Sequence, residues 1–216
     1  MTKLKTAVLI SGRGSNMEAL IQACAQPDYP AEIVLVLANV PDAVGIEHAK
    51  AAGVPVAVIP HRNYDTRDAF DSAVDARLRE AQADLVCLAG FMRILTEPFV
   101  RKWQGRLINI HPSLLPSFKG TEVHEQAIDA GVRISGCTVH YVTPELDSGP
   151  AIAQAAVPVH ADDNAERLAE RVLLAEHKLY PLALRLIAEG RVQLYNGRVI
   201  YNQVAAPEST MFNPTD

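Results

Sequence analysis

The order of apolar runs along the chain predicts an α/β fold. Largely apolar stretches recur at 7–10, 33–38, 56–59, 84–89 and 106–110. Stretches of this kind, continuous at 33–38, are typical of strands buried on both faces of a parallel sheet. Segments with helical spacing lie between them, at 16–25, 43–52, 65–81 and around 98–100. This alternation favours right-handed crossovers and a doubly wound, mostly parallel sheet with helices on both faces.

The second half of the chain predicts additional strands of another kind. A helix is expected around 122–130, and two strands at 135–142 and 151–159 are separated by a loop rich in turn residues. Because that loop is short, the two strands are expected to pair antiparallel, which makes the sheet mixed.

The last third of the chain contains the longest helical pattern, at 164–190. Pro181 interrupts it and predicts a kink or a break, because proline lacks the amide proton that a helix requires. Asn196-Gly197 between two short apolar runs predicts a hairpin. We expect residues 1–202 to form a single domain and residues 203–216 to be a flexible tail.

Composition and charge narrow the classes of function. Hydrophobic residues make up 49% and charged residues 21%, as in ordinary globular proteins, and the net charge of -5 argues against a nucleic-acid partner. The three cysteines are far apart and odd in number, which predicts neither a disulfide framework nor a metal site and fits the cytoplasm. No apolar run is long enough for a signal peptide or a membrane span.

A glycine-rich turn follows the first strand, at Gly12-Arg13-Gly14-Ser15-Asn16. A helix that begins there offers free N–H groups and a positive dipole end, which suit a phosphate. Met17 stands where a dinucleotide-binding turn has its third glycine, and Asn39 follows the second strand where that fold has an acid. A small phosphate ligand is therefore favoured over NAD or ATP. A tight turn without any ligand is the alternative.

An amide, an imidazole and a carboxylate form the second candidate site. Asn109 and His111 flank the end of the fifth strand and share one of its faces, and Asp147 lies in the loop after a later strand. A carboxylate beside an imidazole keeps the ring protonated, so that it can stabilise an oxyanion. No serine or cysteine nucleophile accompanies the set, which suits direct attack of a substrate amine on an acyl donor. Alternatively, His111 caps the following loop and Asn109 only ends a strand.

Four motifs, in the same order, resemble the phosphoribosylglycinamide formyltransferase family. They are Ile10-Ser11-Gly12-Arg13-Gly14-Ser15-Asn16, Phe91-Met92-Arg93-Ile94-Leu95, Asn109-Ile110-His111-Pro112-Ser113-Leu114-Leu115-Pro116, and Gly136-Cys137-Thr138-Val139-His140 with Glu145-Leu146-Asp147-Ser148-Gly149-Pro150. Ala175-Glu176-His177 favours the same branch of the wider formyltransferase superfamily. The resemblance runs from about residue 5 to residue 194.

The resemblance implies a fold, an activity and a set of site residues. The fold is a formyltransferase-like Rossmann variant, with a phosphate-binding half up to about residue 104 and a catalytic and folate half at 105–202. The reaction is formyl transfer from 10-formyltetrahydrofolate, as a cosubstrate, to the amine of N1-(5-phosphoribosyl)glycinamide in purine biosynthesis, without a metal. By motif, the catalytic residues are Asn109, His111 and Asp147; the ribonucleotide site is Gly14, Ser15, Asn16 and Glu176; the folate site is Arg67, Met92, Arg93, Ile94, Leu95, Val142 and Thr143; and His140 is close to the substrate.

Two features depart from the family pattern. Leu173 stands where some relatives carry a lysine near the phosphate, which leaves more of the phosphate binding to the 14–16 turn. Residues 117–122 vary among relatives, and no catalytic role is assigned to their charges. His48, His61, His124 and His160 are expected to be surface or capping residues.

Other functions stay open at this stage. A formyltetrahydrofolate hydrolase or a formyltransferase acting on methionyl-tRNA would share the superfamily motifs, although those relatives carry a further domain for which 216 residues leave no room. A non-catalytic folate- or nucleotide-binding module is the alternative from another class. The expected partners are small-molecule substrates, with neither nucleic acid nor membrane, and a homodimer is one possible assembly.

Overall fold

A seven-stranded sheet with the strand order β3-β2-β1-β4-β5-β6-β7 is the centre of the protein in a computed structural model, which describes residues 2–205 and 211–214. Its strands are β1 Leu4–Ile10, β2 Ala31–Ala38, β3 Val56–Val58, β4 Leu85–Leu88, β5 Leu107–His111, β6 Ile134–Tyr141 and β7 Ala151–Pro158. Strands β1 to β5 are parallel to one another. Each of the seven strands overlaps a segment that the sequence predicts as a strand.

Strands β6 and β7 give the sheet its mixed character. Strand β6 pairs antiparallel with both β5 and β7, as expected from the short loop between the last two strands. In the β5–β6 register, Asn109 lies opposite His140 and His111 lies opposite Thr138. The antiparallel pairing thereby brings a side chain of β6 to the end of β5, where the candidate catalytic residues are.

Helices cover both faces of the sheet. They are α1 Ser15–Cys24, α2 Gly45–Ala51, α3 Arg67–Glu80, α4 Glu97–Lys102, α5 Val123–Asp129 and α6 Ala165–Ala188. Along β1, Val8 and Ile10 pack with α1 and α6 on one face. Ala7 and Leu9 pack with α3 and α4 on the other face. Because helices cover both faces, the central residues of the parallel strands are hydrophobic on both sides of the sheet, and the predicted doubly wound architecture is confirmed.

Helix α6 continues through Pro181 from Ala165 to Ala188, so the prediction of a break there is wrong. The α6 residues near Pro181, namely Tyr180, Ala183 and Leu184, are fully buried against the sheet. The Tyr29 hydroxyl also donates a hydrogen bond to the Pro181 carbonyl over 2.6 Å. This burial outweighs the backbone hydrogen bond that the proline cannot make.

The C-terminal region begins with the predicted hairpin, β8 Val192–Tyr195 and β9 Arg198–Tyr201. Residues 206–210 and 215–216 of the predicted flexible tail lie outside the described residues. Asn213 donates its side-chain amide to the Val159 carbonyl over 3.0 Å. No helix within 2–205 and 211–214 combines the length and apolar character needed to cross a membrane.

Candidate active site

A cavity of about 610 Å³ lies beyond the carboxyl ends of β4 and β5. Ligands of open α/β sheets bind at this edge. The walls come from four segments: the loop 90–95, the end of β5 with Pro112, the segment 120–124, and the loop 142–147. Asn16 and Glu176 close one side. Residues that are far apart in the sequence therefore meet in one cavity.

His111 and Asp147 form a buried imidazole–carboxylate pair in the cavity. Nδ1 of His111 lies 3.5 Å from Oδ2 of Asp147, and the two side chains are only 6% and 7% exposed. Nε2 of His111 lies 2.9 Å from the Phe118 carbonyl oxygen. Because both ring nitrogens face oxygen acceptors, both can donate only when the ring is an imidazolium. Each nitrogen of the buried ring thus has an oxygen atom beside it.

The loop that carries Asp147 depends on a close backbone approach. A Cβ atom at Gly149 would lie 1.7 Å from the Tyr141 carbonyl oxygen, so only glycine lets the loop fold back onto β6. The Gly120 amide then donates to Oδ2 of Asp147 over 2.9 Å. These two contacts fix the carboxylate beside His111.

Asn109 is oriented by a neutral histidine on β6. Its Nδ2 lies 3.3 Å from Nε2 of His140, while Nδ1 of His140 lies 3.0 Å from the Tyr141 carbonyl oxygen. Burial lowers the pKa of His140, although that carbonyl and Asp147 act in the opposite direction. A neutral ring donates from Nδ1 to the carbonyl and accepts at Nε2 from Asn109. The second N–H of the Asn109 amide then remains for a ligand.

The glycine turn adjoins a buried carboxyl group. Gly14 adopts a left-handed conformation with φ of 78°, and α1 begins at the next residue. Asn16 donates from Nδ2 to Oε2 of Glu176 over 2.8 Å. Burial raises the pKa of Glu176 to about 7, although the hydrogen bond from Asn16 lowers it. Asn16 and Glu176 both line the main cavity, whereas Ser15 lines a smaller cavity of about 460 Å³ between α1 and α6.

Six of the seven predicted folate residues surround the opposite part of the main cavity. They are Met92, Arg93, Ile94, Leu95, Val142 and Thr143. The Arg93 guanidinium lies 5.0 Å from the centroid of the Phe70 ring, and its buried Nε has no hydrogen-bond partner in the described part of the chain. Arg67 is the first residue of α3 and is absent from the lining. The structure therefore leaves Arg67, Gly14 and Ser15 outside the main cavity wall.

His124 is a cavity residue that sequence reasoning missed. It was expected to be a surface or capping residue, but it lines the main cavity. Its Nδ1 is buried without a partner among the described residues, and burial lowers its pKa. A single histidine on the short helix α5 gives no sequence signal of this position. No three His, Cys, Asp or Glu side chains of the described ranges group as metal ligands.

Fold and site together define a Rossmann-like α/β protein of the formyltransferase class. A family model described as "Formyl transferase" matches residues 4–184. The chain is 39% identical over 209 residues to a phosphoribosylglycinamide formyltransferase of Haemophilus influenzae, covering 97% of this chain and 99% of the relative. This chain belongs to the phosphoribosylglycinamide formyltransferase family, as its motifs indicated.

Two further relatives extend the comparison. A crystal structure of glycinamide ribonucleotide transformylase 1 from Symbiobacterium toebii superposes with a TM-score of 0.89, at 44% identity, over 92% of this chain and 94% of that one. The chain is also 54% identical over 200 residues, 92% of its length, to a trifunctional purine biosynthetic protein adenosine-3 of Bos taurus. It spans only 20% of that trifunctional relative.

Proposed function

We propose that this protein transfers the formyl group of 10-formyltetrahydrofolate to the amine of N1-(5-phosphoribosyl)glycinamide, a step of de novo purine biosynthesis. The observation that carries the proposal is the meeting of Asn109, His111 and Asp147 in one cavity. Asn16 and Glu176 bound this cavity on one side and the 92–95 segment bounds it elsewhere. A phosphorylated acceptor and a folate donor can thus reach the same three side chains.

The acceptor is assigned to the side of the glycine turn. The free N–H groups at the start of α1, at 14–16, are the proposed phosphate site. The carboxyl group of Glu176 is the proposed partner of the ribose hydroxyls, and Asn16 holds it in place. Leu173 supplies no charge, so the backbone N–H groups carry more of the phosphate binding than in relatives with a lysine.

The donor is assigned to the side of the 90–95 loop. Met92 and Ile94 are 72% and 59% exposed, and they offer apolar surface to the flat rings of a folate. Arg93 offers a guanidinium for a folate carboxylate, which it can bind in bidentate geometry. Val142 and Thr143 begin the loop that covers the pterin. Arg67, at the start of α3, is proposed to reach the outer end of the ligand.

The proposed chemistry is direct transfer through a tetrahedral intermediate. The neutral amine attacks the formyl carbon, and the carbonyl oxygen becomes an oxyanion. The free N–H of Asn109 donates to this oxygen, and the charge of the His111 imidazolium stabilises it. Direct donation from Nε2 of His111 would require it to give up its hydrogen bond to the Phe118 carbonyl.

Proton transfer completes the reaction. The attacking nitrogen must lose a proton, and the leaving folate nitrogen must gain one when its bond to the formyl carbon breaks. We assign this relay to Asp147, acting through a water molecule, and assign to the same carboxylate the orientation of His111. Neither a metal nor a covalent enzyme intermediate enters the proposal.

A product assay tests the proposed function. The protein is incubated with 10-formyltetrahydrofolate and the ribonucleotide amine, and formylated product and free formate are measured separately by mass spectrometry. We expect formylated amine and tetrahydrofolate to form in equal amounts. Free formate without formylated amine would indicate a hydrolase, and ligand binding without either product would indicate a binding module.

We further propose a cytoplasmic location and a homodimer. All three cysteines are free and buried, which suits a reducing compartment. Tyr195, Ile200 and Tyr201 of the β8–β9 hairpin are 62%, 49% and 50% exposed and offer apolar surface to a second copy. Sedimentation at increasing protein concentration tests the dimer, and a single monomeric species throughout would contradict it.

A further inference from the structure

The residue after β2 is turned inward in this protein. In a dinucleotide-binding sheet this position carries an acid that faces the ligand. Here it carries Asn39, which is 1% exposed. Its backbone N–H donates to the Ile10 carbonyl over 3.3 Å, so the side chain lies beside the end of β1. A buried amide has to be hydrogen-bonded, and its partners indicate what it does.

The first partner of Asn39 is the hydroxyl group of Ser11. Oγ of Ser11 donates to Oδ1 of Asn39 over 2.6 Å and accepts from the backbone N–H of Met92 over 2.7 Å. A hydroxyl group has one proton to give. Because Asn39 takes that proton, a lone pair of Ser11 is left for the Met92 N–H.

The second partner of Asn39 is His61. Nδ1 of His61 lies 2.9 Å from the backbone carbonyl oxygen of Asn39 and 3.2 Å from the side-chain Nδ2 of Asn39. The His61 ring contacts Phe70 edge-on, with centroids 6.5 Å apart, and Phe70 stacks on Phe91 at 6.5 Å. The chain of contacts thus returns to the 90–95 loop by a second route.

At the centre of the loop, the Arg93 guanidinium lies 5.0 Å from the centroid of the Phe70 ring. Met92 and Ile94 are mostly exposed, so their side chains do not hold the loop against the core. Within 2–205 and 211–214, Ser11, the residue after β1, makes two hydrogen bonds to the loop: its N–H donates to the Gly90 carbonyl over 3.1 Å, and its Oγ accepts from the Met92 N–H. Ser11 also begins the glycine turn. One residue therefore joins the turn assigned to the acceptor with the loop assigned to the donor.

We propose that Ser11 and Asn39 are positioning residues that fix the 90–95 loop in its folate-binding conformation. Asn39 directs the Ser11 hydroxyl, and the hydroxyl holds the Met92 N–H. Neither side chain lines the cavity, so both act through the loop. The part of this inference that concerns folate rests on the proposed function, whereas the part that concerns the loop does not.

The first test needs no ligand. Amide hydrogen exchange is measured by NMR in the unmodified protein and in Ser11→Ala, Asn39→Ala and Ser72→Ala. Ser72 is the matched control, because its hydroxyl donates to the Asp68 carbonyl on the exposed face of α3. We expect the Met92 amide to exchange about tenfold faster in the first two variants, as for the loss of one hydrogen bond, with the Val8 amide unchanged. Unchanged exchange at Met92 would overturn the positioning role.

The second test connects the loop to the donor. The Kd for tetrahydrofolate and the steady-state constants are measured for the same variants and for Ser11→Thr, which keeps the hydroxyl. In Ser11→Ala and Asn39→Ala, we expect Kd and the KM for 10-formyltetrahydrofolate to rise about tenfold, with kcat within about twofold. Ser11→Thr should restore most of the affinity, which general destabilisation would not explain.

Failure of the proposed function and failure of the positioning role give different binding results. If the unmodified protein does not bind tetrahydrofolate, the proposed function fails and the donor assignment fails with it. If it binds, but Ser11→Ala and Asn39→Ala bind equally well, only the positioning role is overturned. A fall in kcat with unchanged KM would also overturn it, because the residues would then act on the reacting groups.

Discussion

The amide of Asn109 donates to Nε2 of His140 over 3.3 Å, across the antiparallel pair that β5 and β6 form. The hydrogen bond requires an unprotonated Nε2, which burial of the ring favours by lowering the pKa of His140. The buried histidine on β6 thus holds in place the amide that we propose as a donor to the reacting carbonyl. The relationship follows from strand register, since the two residues are directly opposite.

Replacing His140 should therefore lower kcat, because Asn109 loses the hydrogen bond that orients its amide. His140→Phe removes the acceptor, and we expect kcat to fall by up to about 100-fold, the scale for a lost oxyanion donor. His140→Gln keeps an oxygen acceptor and should retain considerably more activity. Steady-state kinetics with both substrates check this order. Equal losses in the two variants would contradict the orienting role.

Asp147→Asn tests the proton relay. The amide has nearly the shape of the carboxylate, and asparagine tolerates the left-handed backbone of this position, where φ is 47°. The backbone should therefore be undisturbed, whereas the proton acceptor and the counter-charge of His111 are lost. We expect kcat to fall by about 100-fold or more, with an unchanged melting temperature. Nearly full turnover would show that Asp147 is not the relay.

Gly149→Ala should displace the loop that carries Asp147. The new Cβ would lie 1.7 Å from the Tyr141 carbonyl oxygen, and a backbone atom cannot move away cheaply. We expect a large loss of kcat together with a lower melting temperature. Gly131→Ala is the control, because Gly131 has a positive φ of 66° but open space around its Cβ. It should cost about 1 kcal/mol of stability without affecting activity.

Glu176 should make both stability and acceptor binding depend on pH. Its pKa is about 7 in the folded protein, against 4.5 for an exposed glutamate. Between these values the unfolded chain releases a proton that the folded protein keeps, so stability falls as pH rises, by at most roughly 1.4 kcal/mol per pH unit. Glu176→Gln should remove this dependence, which denaturation at several pH values measures.

The same titration should appear in the kinetics. The ionised carboxylate is the stronger hydrogen-bond acceptor for ribose hydroxyls, so the KM for the ribonucleotide should fall as pH rises through about 7. The KM of Glu176→Gln should be higher and independent of pH in this range. A parallel pH dependence in the two proteins would assign the titration to another group.

The parallel strands could be predicted because each is largely apolar. The antiparallel pair could be predicted from the alternating pattern of 135–142 and from the loop that separates it from 151–159. The continuity of α6 could not be predicted, because it depends on tertiary contacts. Tyr29, which is distant in sequence, donates a hydrogen bond to the Pro181 carbonyl, and Tyr180 is buried against the sheet. The local sequence pattern shows that proline destabilises a helix, but it does not show the tertiary contacts that offset this destabilisation.

Part of the candidate site could likewise be predicted from the sequence, and part could not. Asn109 and His111 share one strand, and alternation alone places them on one face. Asn16 and Glu176 are 160 residues apart, and only the family motif associated them. The bond from Met92 to Ser11 has no periodic signature, because it joins two loops. His124 was missed because a single histidine on a short helix carries no information about where the helix docks.

The central claim is that Asn109, His111 and Asp147 act together on a formyl group, and a single-turnover experiment tests it most directly. Unmodified protein and Asn109→Ala are saturated with both substrates, and formylated ribonucleotide is measured by rapid quench. We expect transfer in the unmodified protein and a rate about 100- to 1000-fold lower in Asn109→Ala, with both Kd values nearly unchanged. Equal rates in the two proteins, or no formylated product in either, would contradict the account.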